Sequence, residues 1–278
     1  MRPRVVLSWA SGCKTVVTHR SNKARMNLRQ NVELLVELTK KEIKIRYKNA
    51  FLGYLWSLAS PLASALVYYF VFKIILSSRI NNFSLFLISG LFPWQWFANS
   101  VILSASVFIS NKPLIQRTTL PRTILLLASI LNGAVHFLLS VPVIVLFLLM
   151  AGNRPYLIWL VGLPALLIPQ FLIIFGLSLL VSSINVFFRD LQHLIGVLMN
   201  FLFFFTPIVY SETMIPKSIQ PFVFLNPMMP VIVAYRNLFL NGTFSVVHWC
   251  VSLATGLLLV AVGYGVYNRL KWKFAELL

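Results

Sequence analysis

The sequence predicts an all-α membrane protein: six transmembrane helices, an amphipathic interface helix before the first, and re-entrant half-helices before the last. Three observations lead there. The chain has 278 residues, of which 59% are hydrophobic and only 11% charged, with a mean hydropathy of +0.83. A water-soluble fold would lack the polar residues to cover its surface. Apolar runs then recur at spanning length, about 20 residues or more for a hydrocarbon core roughly 30 Å thick. Finally, 24 Lys and Arg against six acids leave a net charge of +18, and the cations sit in front of and between those runs.

Residues 1–26 form a basic, irregular tail. Val5 to Ala10 is too short for the core of a signal peptide. Ala10-Ser11-Gly12-Cys13 is spaced like a lipoprotein cleavage site but lacks the aliphatic run before it. Met26 directly precedes the patterned region and is a candidate natural start. From residue 27 to 50 the pattern is amphipathic. Leu28, Val32, Leu35, Val36, Ile43 and Tyr47 recur at helical spacing, and Glu33, Glu37, Lys40, Lys41, Lys44 and Lys48 mark another face. Such a helix lies on a membrane surface. The membrane domain then occupies residues 51–278, with spans at about 51–76, 83–109, 124–150, 156–184, 191–210 and 246–267. Gly90 and Pro93, beside Phe92, Trp94, Trp96 and Phe97, predict a break or a pore-facing platform within the second span. Asn132, His136 and Pro142 interrupt the third span, and Pro164, Pro169 and Gln170 the fourth, so these residues must face protein or water rather than acyl chains. Between 211 and 244, Pro216, Pro221, Pro227 and Pro230 punctuate apolar pieces too short to cross. That segment reads as half-helices dipping back from one face at 215–238.

Six spans put both termini on one side. The loops of that side hold 19 of the cations, against four (Arg79, Arg154, Lys217 and Arg236) on the other. The asymmetry predicts cytoplasmic termini. It also argues against nucleic acid as a partner, because the cations follow the ends of apolar runs rather than forming one patch. There is no phosphate-cradling Gly-rich loop, so the chain is not expected to bind ATP itself. No acid lies within a span, and the histidines at 19, 136, 193 and 248 do not group. The two cysteines, Cys13 and Cys250, suggest neither a disulfide framework nor a metal site. An ion-coupled carrier and a membrane-embedded glycan or lipid transferase are the rival classes. Each would need ionisable or ligand groups in a cluster that the sequence does not offer. A passive conduit energised by something else remains.

Several motifs in register resemble one family. Arg46-Tyr47-Lys48-Asn49-Ala50-Phe51-Leu52-Gly53-Tyr54-Leu55-Trp56-Ser57 with Pro61, Gly90-Leu91-Phe92-Pro93-Trp94, Asn185-Val186-Phe187-Phe188-Arg189-Asp190, Thr206-Pro207-Ile208-Val209-Tyr210 and Asn226-Pro227-Met228 are similar to the membrane subunits of ATP-binding-cassette polysaccharide and O-antigen exporters. Teichoic-acid exporters share that architecture. The resemblance implies a non-enzymatic permease in the bacterial inner membrane, paired as a homodimer. Two copies of a separate ATPase, which hold the ATP and Mg²⁺, would bind it; the permease itself holds no cofactor. The cargo would be an undecaprenyl-pyrophosphate-linked glycan. Asn111 to Thr119 would be the coupling helix entering the ATPase, with Asn111, Lys112, Pro113, Leu114, Gln116 and Arg117 as its contact residues. Arg46 and Lys48 would meet the carrier pyrophosphate, and Tyr68, Tyr69, Trp94 and Trp96 would line the glycan channel.

Overall fold

The computed structural model describes residues 28–47, 56–75, 80, 82–117, 121–220, 223 and 225–274. The basic tail at 1–26, Lys48 and the start of the first expected span lie outside the described residues. Every regular element among the described residues is helical. In chain order these are α1 (Leu28–Tyr47), α2 (Trp56–Tyr69, continued by π-turns through Phe70–Ile75), α3 (Phe83–Ser110), α4 (Lys112–Arg117), α5 (Arg122–Met150), α6 (Trp159–Asn185), α7 (Leu191–Phe204), α8 (Met229–Arg236) and α9 (Val246–Leu270).

Four of them, α3, α5, α6 and α9, are long and apolar enough to cross a membrane. This is a multi-pass membrane protein. The second, third, fourth and sixth expected spans match these helices. For the first, α2 with its π-turns covers residues 56–75. For the fifth, expected at 191–210, the helix ends at Phe204. Fourteen residues rise only about 21 Å. The cause is local: Pro207 lacks an N–H, and Thr206 turns its Oγ1 back to the Leu202 carbonyl at 2.6 Å. The expected break at Gly90 and Pro93 does not occur, since α3 runs unbroken through both. Protein surrounds that stretch, and the buried Gln170 of α6 donates Nε2 to the Pro93 carbonyl at 2.8 Å.

The bundle is built around α3, which packs against α2, α5, α6, α7 and α8. It is the least hydropathic of the four long helices, at 1.2, yet 78% of its spanning window is buried. Its Ser89, Ser100 and Ser104 are all enclosed. Residues that would be costly against lipid are accepted against protein. The largest pairing is α6 against α9, where glycines replace side chains at the crossing. A Cβ on Gly176 would lie 2.5 Å from the Val260 nitrogen, and one on Gly263 would strike the Gly176 carbonyl.

Prolines inside helices free carbonyls, and the bundle answers one of them directly. Pro169 leaves the Ala165 carbonyl without its helical partner; Trp249 of α9 donates Nε1 to it at 2.8 Å. At the end of α5, Gly152 takes φ +79°. Its N–H bonds Leu149 at 3.0 Å, and Asn153 bonds Leu148 at 3.1 Å, a Schellman close that reverses the chain.

On α1 the buried stripe differs from the expected one. Leu34, Leu35, Leu38 and Ile43 are half-buried and α1 packs on α5, whereas Val32 and Val36 are exposed beside Glu33, Glu37 and Lys40. The helix therefore offers valines and charges together on its free side, a composition suited to a headgroup layer.

Candidate functional site

One end of the bundle gathers α4, the joint between α6 and α7, and the end of α9. Asn111 makes the corner between α3 and α4. Its N–H and Nδ2 donate to the Val107 carbonyl at 3.2 and 3.0 Å, and its own carbonyl accepts the N–H groups of Leu114 and Ile115 at 3.0 Å each. Lys112, Pro113 and Gln116 are exposed, while Leu114 and Ile115 lean on the apolar core. The result is a short knob with an apolar base and a cationic, polar crown. Arg117 closes α4, and its side chain lies outside the described residues. Arg46 is on the last turn of α1 with its side chain likewise outside, as is all of Lys48.

Beside the knob, Asn185 joins three elements. Its Nδ2 donates to the Ala105 carbonyl of α3 at 2.8 Å, and its Oδ1 accepts the Gln192 N–H in the first turn of α7 at 3.1 Å. An orphan amide at a helix start is thereby capped from seven residues upstream. Phe187, Phe188, Arg189, Asp190 and Leu191 line an open hollow of about 560 Å³ on the same end.

The four aromatics expected along the channel are placed unequally. Tyr69 is exposed and Tyr68 half-buried, with Tyr68 stacked on Phe203 at 5.0 Å. Trp94 meets Phe203 edge-on at 6.0 Å, and Trp96 stacks on Phe137 at 5.5 Å while donating Nε1 to the Ile130 carbonyl at 3.3 Å. Each tryptophan is only 4% exposed, so both pack helix on helix within this chain.

The opposite end holds a polar knot that only the folded chain assembles. Asn226 donates Nδ2 to Thr206 Oγ1 at 2.7 Å and accepts the Met228 N–H at 3.0 Å. It thus binds the turn after α7 to the entry of α8. Asn226→Ala is expected to lower stability by about 1–2 kcal/mol, from a lost Asx-turn bond and a lost buried side-chain bond. Thermal unfolding in detergent measures this, with Asn226→Asp expected to recover the turn bond to Met228 but not the bond donated to Thr206.

Arg236 closes the knot. It counts with the outer-loop cations by topology, yet it is 8% exposed. Its Nη2 donates to the Pro207 and Ile208 carbonyls at 2.8 and 3.2 Å, and the guanidinium lies 3.6 Å over the Phe86 ring. Gly90 is what lets it in, because a Cβ there would stand 3.2 Å from Nη2. An arginine flanked by the apolar pieces Val231 to Tyr235 and Leu238 to Leu240 was the available signal. Among the described residues, no group of three or more His, Cys, Asp or Glu side chains could hold a metal ion.

Four of the five sequence motifs therefore sit at joints among the described residues. Asn185 ties three helices, and Gly90, Thr206-Pro207 and Asn226-Pro227-Met228 meet around Arg236. Comparison with known proteins gives the family. Residues 33–240 match the ABC-2 type transporter family. An O-antigen export system permease protein of Klebsiella pneumoniae is 42% identical over 258 residues, covering 93% of this chain and 100% of the relative. One from Myxococcus xanthus is 30% identical, covering 87% of this chain and 94% of the relative. A polysialic acid transport protein of Escherichia coli is 25% identical, covering 74% and 80%. By family match and by relatives aligned over nearly its whole length, the chain belongs to the ABC-2 type transporter membrane family.

Proposed function

We propose that this chain is the membrane subunit of an ATP-driven exporter that moves a lipid-linked polysaccharide outward across the bacterial inner membrane. The observation that carries the reading is the 42% identity to an O-antigen export permease along that relative's entire length. In this reading α2 with the residues before it, and α7 with the turn through Tyr210, complete six spans. Residues 215–238 form the re-entrant pair at the outer mouth. Ile215 and Val223 pack there against Met229 and Val233, so the two arms cover one another's apolar faces. Two copies of the chain enclose the path. Tyr68 and Tyr69 offer ring faces that accept sugar rings of many kinds, with Trp94 bracing Tyr68 through Phe203. Arg46 and Lys48, at the inner end of the first span, suit a pyrophosphate.

The motor is a separate ATPase on the cytoplasmic side, and ATP with Mg²⁺ stays on that partner. The knob at Lys112–Arg117 is the surface through which its motion enters. A six-residue helix held by Asn111 at one corner and by Leu114 and Ile115 at its base transmits displacement to α3 rather than absorbing it.

Purified subunit and its ATPase in sealed vesicles test the reading. Glycan is expected to reach the far side only with both chains and ATP present. Turnover of a lipid substrate, or export, by this chain alone would overturn it. Offering O-antigen-type and teichoic-acid-type polymers side by side identifies the cargo. Lys112→Glu and Arg117→Glu are each expected to cut glycan exported per ATP hydrolysed by about tenfold, about 1.4 kcal/mol of coupling, with membrane insertion intact. Wild-type export in both variants would remove α4 from the coupling path.

A further inference from the structure

Immediately after α9 the chain turns under the bundle. Lys271 and Lys273 bond back to Tyr267 and Leu270 at 2.8 and 3.0 Å, which swings Phe274 inward while Trp272 stays 76% exposed. Phe274 is fully buried. Its ring centroid lies 5.5 Å from Phe108, 6.1 Å from Tyr267 and 6.2 Å from Phe187, and the Arg122 guanidinium lies 5.4 Å over its face. Arg122 also donates Nη1 to the Lys271 carbonyl at 2.6 Å.

The partners share one property. Phe108 is on the last turn of α3, just ahead of α4, and Arg122 opens α5, just behind it. Phe187 belongs to the α6–α7 joint on the same face. A single side chain near the end of the described chain therefore touches both flanks of the knob. Ring packing and one charge-assisted bond hold the two flanks at that point.

We propose that Phe274, with Arg122, is a positioning residue for energy coupling: the Lys271–Phe274 segment clamps the two ends of the α4 knob so that force on the knob moves α3 and α5 together. The clamp rests on the exporter reading above. Without it, α4 would be held only at Asn111 and at its Leu114 and Ile115 base, and ATP would be hydrolysed without α3 and α5 moving together.

The test uses the subunit assembled with its ATPase in vesicles, comparing wild type, Phe274→Ala, Phe274→Trp and Lys112→Glu. Export per ATP hydrolysed is expected to fall at least about fivefold in Phe274→Ala, with hydrolysis retained, and to recover in Phe274→Trp, which refills the aromatic site. A spin label at Gln116→Cys, in a Cys13→Ser, Cys250→Ser background, reads the knob directly. Its motion is expected to increase in Phe274→Ala and not in Phe274→Trp. Should Phe274→Ala not assemble, Arg122→Gln, which cuts the tie to Lys271, carries the same expectation. An unchanged label and unchanged export per ATP in the assembled variant would overturn the clamp. If Lys112→Glu still uncouples in that case, the exporter reading survives the clamp's failure; if Lys112→Glu is also silent, the coupling role of α4 falls with it.

Discussion

Gly263→Val is expected to yield no folded subunit. On α9, Gly256 and Gly263 stand seven residues apart, two turns along one face, and both meet α6. A Cβ on Gly263 would strike the Gly176 carbonyl, and one on Gly256 would lie 2.9 Å from the Leu172 Cβ. The obstacle at Gly263 is backbone, which no rotamer change can move aside. In lipid, helix association rests on close van der Waals packing of small residues, so pushing α6 and α9 apart forfeits the largest interface of the bundle. Overpacking costs about 1–3 kcal/mol where side chains can yield, and more where they cannot. Gly176→Val should fail in the same way. Gly265→Ala is the control, since nothing lies within 4 Å of its added carbon, and it should stay within about 0.5 kcal/mol of wild type. Size-exclusion profiles and thermal midpoints of detergent-solubilised protein check all three. A monodisperse Gly263→Val with an unshifted midpoint would mean the crossing is looser than described.

Arg236→Met is expected to destabilise the α7–α8 region by about 3 kcal/mol or more. Methionine keeps length and apolar bulk but takes donors from the Pro207 and Ile208 carbonyls in a setting without ready water, and removes the cation from the Phe86 face. A charged donor's hydrogen bond contributes about 1.5–3 kcal/mol, and a desolvated cation–π contact about 2 kcal/mol. These terms overlap, so the loss is smaller than their sum. Arg236→Lys is expected to recover little, because a point charge cannot reach both carbonyls and lie flat on a ring. Gly90→Val should imitate the loss by filling the space of Nη2 and Ile232. Limited proteolysis should cut between 205 and 236 first in these variants, while α3, α5, α6 and α9 stay protected. Equal protection of that segment in Arg236→Met would remove the knot from the stability of that end of the bundle.

Much of the architecture was legible in the chain. Four long helices fall where their apolar runs lie, because length and hydropathy are local sums that a bilayer reads directly. The family motifs were legible as runs of specific residues, and the resemblance they carry put a short helix at Asn111 to Thr119, where α4 lies. What was not legible depends on distant partners. The proline in α3 suggested a break, but Gln170, 77 residues away, sits against its carbonyl. Val32 and Val36 fit an apolar stripe, but α5 takes the neighbouring face of α1 instead. Arg236 belonged to an outer loop by count until Phe86 and Pro207 were brought to it.

By itself, then, the sequence determined that this is a membrane-crossing bundle preceded by a basic amphipathic helix. Tertiary structure alone decided which long helix is central. Hydropathy ranks α3 last among the four, at 1.2, and α5 first, at 2.4, but their windows are 78% and 22% buried respectively. The reason is physical: an apolar side chain is equally content against lipid or protein, so the helix drawn inward is the one whose small Ser89, Gly90, Ser100 and Ser104 allow close approach and whose Trp94 and Trp96 pack on rings of other helices.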